Sequence, residues 1–446
     1  MGAHTPIANG AAVEVNNYAE EKPPAVSSQA LSTTAKTASK KPRIDCIDGC
    51  RFALVFPIIV GHFVRFGTKS ELLLKLLTQE NVLVGGFFII SGYVSGYVAT
   101  NMGERKADEK KLKDPELFFW QKVMSYYPLH FLISTSFAPL FIQVDRWVNL
   151  PWSTTRFHAF LNYTLMQAWF SSEAEIWNPP TWFLSALTFA NALMPSVLTS
   201  VASLSKHGLR NLLRGLTVIS MLQKLSYSQG KQYFSNVGIS AKKTSNLWNL
   251  TRFHPIGALV EITMGIASVR EVMLDDAVER SKPVMNPAWL FLASYGTLAL
   301  RCTRLDLNDA IIRSALFVPL YSRFLTAMHR DCMTERPSAI TRFFGSKTMV
   351  WLGSLAFPMF MIHGPLGQLF YKKAVAMRLW GKVMPQKFFP IYLLLVLLSG
   401  QVLNEGFVKN ALVQRMSARA AQILAKHTRG MLQDIVVDEK LNGQDR

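Results

Sequence analysis

Repeated apolar runs dominate this chain, and each is long enough, or nearly so, to cross a lipid bilayer as a helix. A hydrocarbon core of about 30 Å requires about 20 mainly apolar helical residues. Half of the 446 residues are apolar and only 17% are charged, whereas soluble domains carry about 25% charged residues. The sequence therefore predicts an all-α, polytopic integral membrane protein with about ten transmembrane helices, at 50–67, 81–100, 124–143, 181–204, 209–225, 255–272, 286–302, 308–327, 348–371 and 388–408.

Lysine and arginine residues cluster between the apolar runs and predict the orientation of the chain. Residues 40–43 and the loop 101–123 are rich in cations, and short cationic loops remain in the cytosol. With ten helices the basic C-terminal segment lies on the same side, so both termini are predicted to be cytosolic. Two N-x-S/T sequons, at Asn162 and Asn249, fall in loops predicted outside or in a lumen, but the cationic loop 226–254 departs from the charge rule.

Composition divides the chain into three regions. Residues 1–43 are rich in Ala, Ser and Thr without an apolar core, which predicts a disordered cytosolic tail. Residues 44–408 hold the membrane helices, and residues 409–446 form a basic cytosolic C-terminal tail.

The net charge of +19 is spread over the loops, so we interpret it as the charge that sets the orientation of the chain, and we predict no nucleic-acid partner. The four cysteines match no zinc spacing, and no metal site is predicted.

The first apolar run contains an arginine and a histidine, Arg51 and His62, within DGCRFALVFPIIVGH. Their spacing is about three helical turns, so both side chains lie on one face, about 16 Å apart along the axis. The arginine is predicted at the cytosolic mouth and the histidine near the middle of the membrane, where ionisable residues are commonly functional. His62 is therefore a candidate catalytic base. The alternative is a histidine satisfied by a neighbouring helix.

Two further stretches combine packing signals with candidate substrate contacts. In GGFFIISGYVSGY, residues 85–97, the glycines allow other helices to approach closely and Ser91 can hydrogen-bond across an interface. Tight packing is the simpler interpretation of that stretch. Asn178-Pro179-Pro180 interrupts the chain before Trp182, one of several tryptophans that form either an aromatic belt or a wall of an acceptor site.

Glu261 and His363 lie inside the sixth and ninth predicted helices. A carboxylate within the membrane requires a partner, so an ion pair with another helix is the alternative to a role in substrate binding. His363 is followed by Gly364-Pro365, which predicts the end of the helix or a kink. Two histidines without paired Cys or His spacing do not resemble a metal site, and acid–base catalysis or substrate binding is better supported.

These patterns, in this order, resemble the acyltransferase family 3 membrane proteins over roughly residues 44 to 408. The matching elements are Asp48-Gly49-Cys50-Arg51 with Gly61-His62, Phe87-Phe88-Ile89-Ile90-Ser91-Gly92, Trp182-Phe183-Leu184-Ser185, Pro255 with Glu261 and Gly265, and Leu352-Gly353 with His363-Gly364-Pro365. Three elements depart from the family pattern: Leu187 stands where many bacterial members have a Glu, Phe360 stands where a Tyr is usual, and the third departure concerns the entry to the third helix. Where the family often has three arginines entering its third helix, this chain keeps one cation, Lys122.

The resemblance implies transfer of an acyl group, usually acetyl, from acyl-CoA to a hydroxyl of a sugar, lipid or small-molecule acceptor. Acyl-CoA is then a donor substrate, and no tightly bound cofactor is expected. Arg51 and His62 are the family's essential pair. We predict His62, Arg51 and His363 as catalytic residues, and as substrate-binding residues Asp48, Ser91, Lys122, Trp182 and Glu261.

Departures from the bacterial pattern favour a eukaryotic branch. They predict an endomembrane, of the endoplasmic reticulum or Golgi, and leave a plastid or plasma membrane open. The rival function is a transporter or exporter that uses intramembrane His and Glu for proton coupling. No repeat of one half of the sequence is visible in the other, which favours the enzyme.

Overall fold

The computed structural model describes residues 41–170, 172–225, 252–280, 285–304 and 307–443. Within these ranges the chain is helical and contains no β-strand, apart from an isolated bridge between Thr100 and Ala107. The all-α prediction is confirmed for the described residues. The predicted disordered tail up to residue 40 and the sequon at Asn249 lie outside them.

The described part of the chain contains thirteen α-helices of ten or more residues. They are α1 (Asp45–Phe63), α2 (Glu80–Ala99), α3 (Pro115–Met124), α4 (Tyr127–Trp147), α5 (Trp152–Thr164), α6 (Trp182–Ala202), α7 (Lys206–Leu225), α8 (Pro255–Met273), α9 (Pro287–Gly296), α10 (Val318–Asp331), α11 (Lys347–Tyr371), α12 (Phe389–Leu403) and α13 (Ala411–Gly443). Shorter helices cover Glu71–Leu77, Glu109–Leu112, Ala277–Arg280, Ala339–Phe344 and Lys373–Trp380. A π-helix, Ala310–Phe317, leads into α10, and a second, Asn404–Val408, continues α12.

Among the described residues, five helical segments are long and apolar enough to cross a membrane: Asp45–Phe66, Glu71–Ala99, Pro179–Ala202, Lys347–Tyr371 and Gln386–Val408. The chain is therefore a multi-pass membrane protein. Helices also occupy the other five predicted segments, but these do not combine the same length and hydropathy; α9, for example, has only ten residues. The count of ten helices and the cytosolic position of both termini stay predictions.

Glycines bring the backbones of α2 and α8 into contact. A Cβ on Gly92 would overlap the carbonyl group of Ile262, and a Cβ on Gly265 would overlap that of Ile89. Because glycine alone lacks this atom, these two helices approach more closely than other residues permit. The glycine-rich stretch of α2 thus serves packing, as the simpler interpretation of the sequence predicted.

Helix α11 continues through Pro365 as far as Tyr371, so of the two predicted outcomes, an end of the helix or a kink, the end does not occur. Proline has no N–H, and the carbonyl four residues earlier, on Met361, loses its helical partner. The side-chain amide of Asn178 donates to that carbonyl at 3.0 Å. A neighbouring segment therefore satisfies the freed oxygen, which is how a proline is tolerated inside a membrane helix.

Candidate active site

Helices α1 and α11 lie side by side and run in the same direction. At one end, Gly353 of α11 lies against the backbone of Asp48. Further along both helices, the rings of His62 and His363 meet edge to face, with centroids 5.1 Å apart and an interplanar angle of 61°. The fold thus brings together the two histidines that the sequence singled out separately.

A hydrogen bond to a backbone carbonyl fixes the proton position on each histidine. Nδ1 of His62 lies 2.8 Å from the carbonyl oxygen of Ile58, and Nδ1 of His363 lies 2.7 Å from that of Phe360. A carbonyl oxygen only accepts, so each Nδ1 donates and each neutral ring keeps its Nε2 lone pair. Nε2 of His363 is buried without a hydrogen-bond partner among the described residues, whereas His62 is partly exposed. His62 is therefore the more accessible of the two histidines.

The structure gives the position of His62 along its helix. His62 lies one residue before the end of α1, in the last turn, and its depth near the middle of the membrane stays a prediction. Arg51 lies in the second turn from the other end. The two residues therefore mark opposite ends of the helix, about 16 Å apart along its axis.

A proline between these two residues ties α1 to a neighbouring helix. Pro57 leaves the carbonyl of Ala53 without its helical N–H. The hydroxyl of Tyr295, on α9, donates to that carbonyl at 2.9 Å. The position of the arginine relative to the histidine is thus supported by a second helix.

Arg51 is held by an acid one turn earlier in the same helix. Its guanidinium lies 3.1 Å from Asp48, whose other carboxylate oxygen accepts from Arg43 at 2.7 Å. Asp48, a predicted substrate-binding residue, therefore contacts two arginines directly.

Lys122 of α3 joins the cations at this end of α1. Its amine lies 3.1 Å from the hydroxyl of Ser95 on α2. Burial, together with repulsion from Lys111 and Arg51, lowers the pKa of Lys122 to about 8. No carboxylate of the described residues is among the groups that shift the pKa of this lysine. A bound phosphate would supply the missing negative charge and favour the protonated amine.

Ser91 and Trp182, the two uncharged residues predicted to bind substrate, have different surroundings. Ser91 lies on α2, one helical turn before Ser95, and is partly exposed. Trp182 is buried and packs against Phe88 and Phe253, with ring centroids 6.2 Å and 4.8 Å apart. Ser91 therefore lies one turn from the residue that holds Lys122, whereas the contacts of Trp182 are those of a packing residue.

Glu261 is fully buried in a network of ions and hydrogen bonds. Both of its oxygens accept from Arg313, at 2.8 Å and 2.6 Å, and Lys224 lies 3.4 Å away. Arg313 also donates to the carbonyl of Asn81 at 2.6 Å. The structure thus gives Glu261 the interhelical ion pair that was the alternative to substrate binding.

Sequence reasoning did not assign a role to two residues that lie beside His363 or its neighbour Gly364. The ring of Phe360 lies 5.7 Å from that of His363, and the side chain of Asn178 lies against Gly364. The Asn-Pro-Pro break was visible in the sequence, and Pro365 signalled that a carbonyl needed a donor. Neither feature indicated that Asn178 donates to the carbonyl of Met361, which Pro365 leaves without its helical partner.

These observations define a multi-pass, all-helical membrane protein with a histidine pair at one end of its first helix and cations at the other. No group of three or more His, Cys, Asp or Glu residues in the described ranges is arranged to hold a metal. A family model of an acyltransferase domain matches residues 44–404. The chain therefore belongs to acyltransferase family 3, as its motifs predicted. No curated protein and no solved structure matches it.

Proposed function

We propose that this protein is an acyl-CoA-dependent O-acyltransferase that transfers an acyl group, most simply acetyl, to a hydroxyl of a sugar, lipid or small-molecule acceptor. One observation carries the proposal. The Nδ1–H of His62 is bonded to the carbonyl of Ile58, which leaves its Nε2 lone pair as a proton acceptor on a partly exposed ring. That is the protonation state a general base requires.

In the proposed reaction, Nε2 of His62 takes the proton of the acceptor hydroxyl as its oxygen attacks the thioester carbonyl. The carbon–sulfur bond then breaks, the CoA thiolate leaves, and the proton on His62 passes to that sulfur. Ester and free CoA thiol result, and the base is regenerated. His363 packs its ring against His62 and acts as a positioning residue. Base catalysis of this kind contributes about 10² to 10⁴-fold.

The donor is proposed to bind along α1. Arg51 and Lys122, with Lys111 close enough to affect the pKa of Lys122, form a cationic region suited to the CoA phosphates. The reacting thioester must reach His62, about 16 Å further along the helix. The extended pantetheine arm of CoA can bridge such a distance, which separates the role of the arginine in donor binding from that of the histidine in catalysis.

The proposal is tested with the full-length protein in membranes supplied with labelled acetyl-CoA. His62→Ala is expected to reduce label transfer by at least about 10²-fold, and Arg51→Lys to weaken stabilisation of the purified protein by CoA. His207→Ala is the matched control, because His207 is exposed on α7. Undiminished transfer in His62→Ala would remove the base assignment. Uptake of a solute without thioester consumption would support the transporter instead.

A further inference from the structure

Helix α12 presents an apolar face that the rest of the protein does not cover. Ile391, Leu394, Leu398 and Val402 are 46% to 71% exposed. Their spacing of three to four residues places them on one side of the helix. Because α12 belongs to a segment apolar enough to span a membrane, this face is the one that contacts lipid.

Helix α13 begins three residues after that segment ends and packs with one face against α3. Ala421 and Ala425 are buried. The indole N–H of Trp120, on α3, donates to the hydroxyl of Thr428 at 2.9 Å. Arg429 also pairs with Asp114 just before α3. These contacts fix the rotation of α13 about its own axis and so determine which face points outward.

The outward face of α13 combines an apolar strip with a row of cations. Three apolar side chains are 62% to 65% exposed: Leu412, Met416 and Ile423. Their spacings of four and seven residues keep them within about 40° on a helix that turns 100° per residue. The neighbouring strip carries three exposed cations: Arg415, Arg419 and Lys426.

This arrangement indicates what covers the face. An apolar strip bordered by Lys and Arg is typical of helices that lie in the membrane interface, with the strip towards the acyl chains. The strip starts where the lipid-contacting surface of α12 ends, so the same bilayer is within reach. Cations at the membrane surface attract anionic lipids.

We propose that α13 is a membrane-surface helix that binds anionic phospholipid headgroups of the bilayer crossed by α12. Leu412, Met416 and Ile423 insert among the acyl chains, and Arg415, Arg419 and Lys426 contact the headgroup phosphates and carboxylates. The binding does not depend on the proposed enzymatic reaction.

The first test concerns insertion. Full-length protein carrying photoreactive benzoylphenylalanine at Met416 is placed in nanodiscs of phosphatidylcholine and phosphatidylserine and irradiated. Lipid adducts found by mass spectrometry are the expected result. The matched probe replaces Lys110, an exposed residue of the short helix Glu109–Leu112, and is expected to give none. Equal lipid labelling at both positions, or none at Met416, would overturn the proposal.

The second test concerns charge. Dioctanoyl phosphatidylserine and dioctanoyl phosphatidylcholine are titrated onto the purified full-length protein. Preference for the anionic lipid is expected to fall about five-fold for each cation removed in the triple variant R415Q/R419Q/K426Q. The control triple variant K373Q/K382Q/K387Q makes the same change in net charge at exposed positions outside α13. No preference in the wild type, or an equal loss in both variants, would contradict the proposal.

Discussion

Two clusters of ionisable side chains lie among the membrane helices, and they differ in how completely their polar atoms are satisfied. In the Glu261 cluster, both carboxylate oxygens accept from Arg313, and Lys224 lies within ion-pair distance. In the histidine pair, each Nδ1 has one carbonyl partner, and Nε2 of His363 has none among the described residues.

This difference distinguishes a cluster with a structural role from one proposed to take part in catalysis. A buried charge is tolerated only when it is paired and hydrogen-bonded, so the Glu261 cluster has the form expected of a structural element. Buried polar atoms without partners are unfavourable, and a catalytic role is one explanation for them. The unpaired Nε2 of His363 beside the partly exposed ring of His62 therefore supports the proposed role of this pair in catalysis.

The largest effect on stability is expected at Glu261. Glu261→Gln removes the negative charge and leaves Arg313 and Lys224 buried without it, a loss of about 3 to 5 kcal/mol in the free energy of unfolding. Thermal unfolding of the purified protein measures it. Glu405→Gln is the matched control, because Glu405 pairs with Lys409 at 2.6 Å but is 46% exposed, and exposed pairs contribute at most about 1 kcal/mol. Normal unfolding together with lost acyl transfer in Glu261→Gln would instead place this carboxylate in the reaction.

The opposite pattern is expected at His363. His363→Leu removes a ring whose Nε2 has no partner in the described structure, so the free energy of unfolding should change by no more than about 1 kcal/mol. Acyl transfer should fall about 10²-fold, because a base misplaced by about 1 Å loses that much. Parallel measurements of unfolding and label transfer separate the two effects. If His363→Leu unfolds as readily as Glu261→Gln, the histidine pair is structural and the comparison fails.

The sequence singled out Glu261 and the two histidines but not their partners. The apolar runs and the order of the motifs were sufficient to predict the helical fold and the family, and they marked Arg51, His62 and His363 as candidates. The contact between the histidines depends on the parallel packing of α1 and α11, which joins residues about 300 positions apart in the chain. Sequence periodicity describes one helix at a time and carries no information on such pairings.

Glu261 shows the same limit in another form. The sequence predicted that an intramembrane carboxylate needs a cation, and the structure supplies Arg313 from a π-helix and Lys224 from α7. Several cations in the apolar runs could have served, and only the packing selects these two. Asn162 is a third case, because its sequon is visible in the sequence but its side chain is fully buried. Glycosylation there would require the folded chain to expose it.

A smaller effect, on donor binding, is expected at Lys122. Its pKa is lowered to about 8 by burial and by Lys111 and Arg51, so the free protein loses this positive charge as pH rises through about 8. The KM for acetyl-CoA should therefore rise between pH 7 and 9. Lys122→Gln should raise it about tenfold at pH 7, the equivalent of about 1.4 kcal/mol, and should reduce its pH dependence. Lys113→Gln, at an exposed position nearby, is the control. A pH-independent KM in the wild type would exclude Lys122 from donor binding.

The smallest effect concerns a third cluster, which lies outside the five membrane-spanning segments. Its hydrogen bonds can all form only when its histidine is protonated. Nδ1 of His158 lies 2.9 Å from Asp145 and Nε2 lies 3.0 Å from Glu173. A neutral ring has one N–H and can donate to only one carboxylate. Hydrogen bonding to Asp145, with the charges of both acids, raises the pKa of His158 above its usual range in spite of partial burial.

The sign of the resulting pH dependence follows from linkage. A folded-state pKa above the unfolded value of about 6.5 stabilises the protein fully below that pH, and the contribution is lost as pH rises through the raised pKa. The free energy of unfolding should therefore be higher at pH 6 than at pH 8.5. His158→Gln should remove this difference, and His207→Gln, at an exposed histidine, should retain it. An equal pH dependence in His158→Gln and the wild type would show that the histidine between the two carboxylates is not the titrating group.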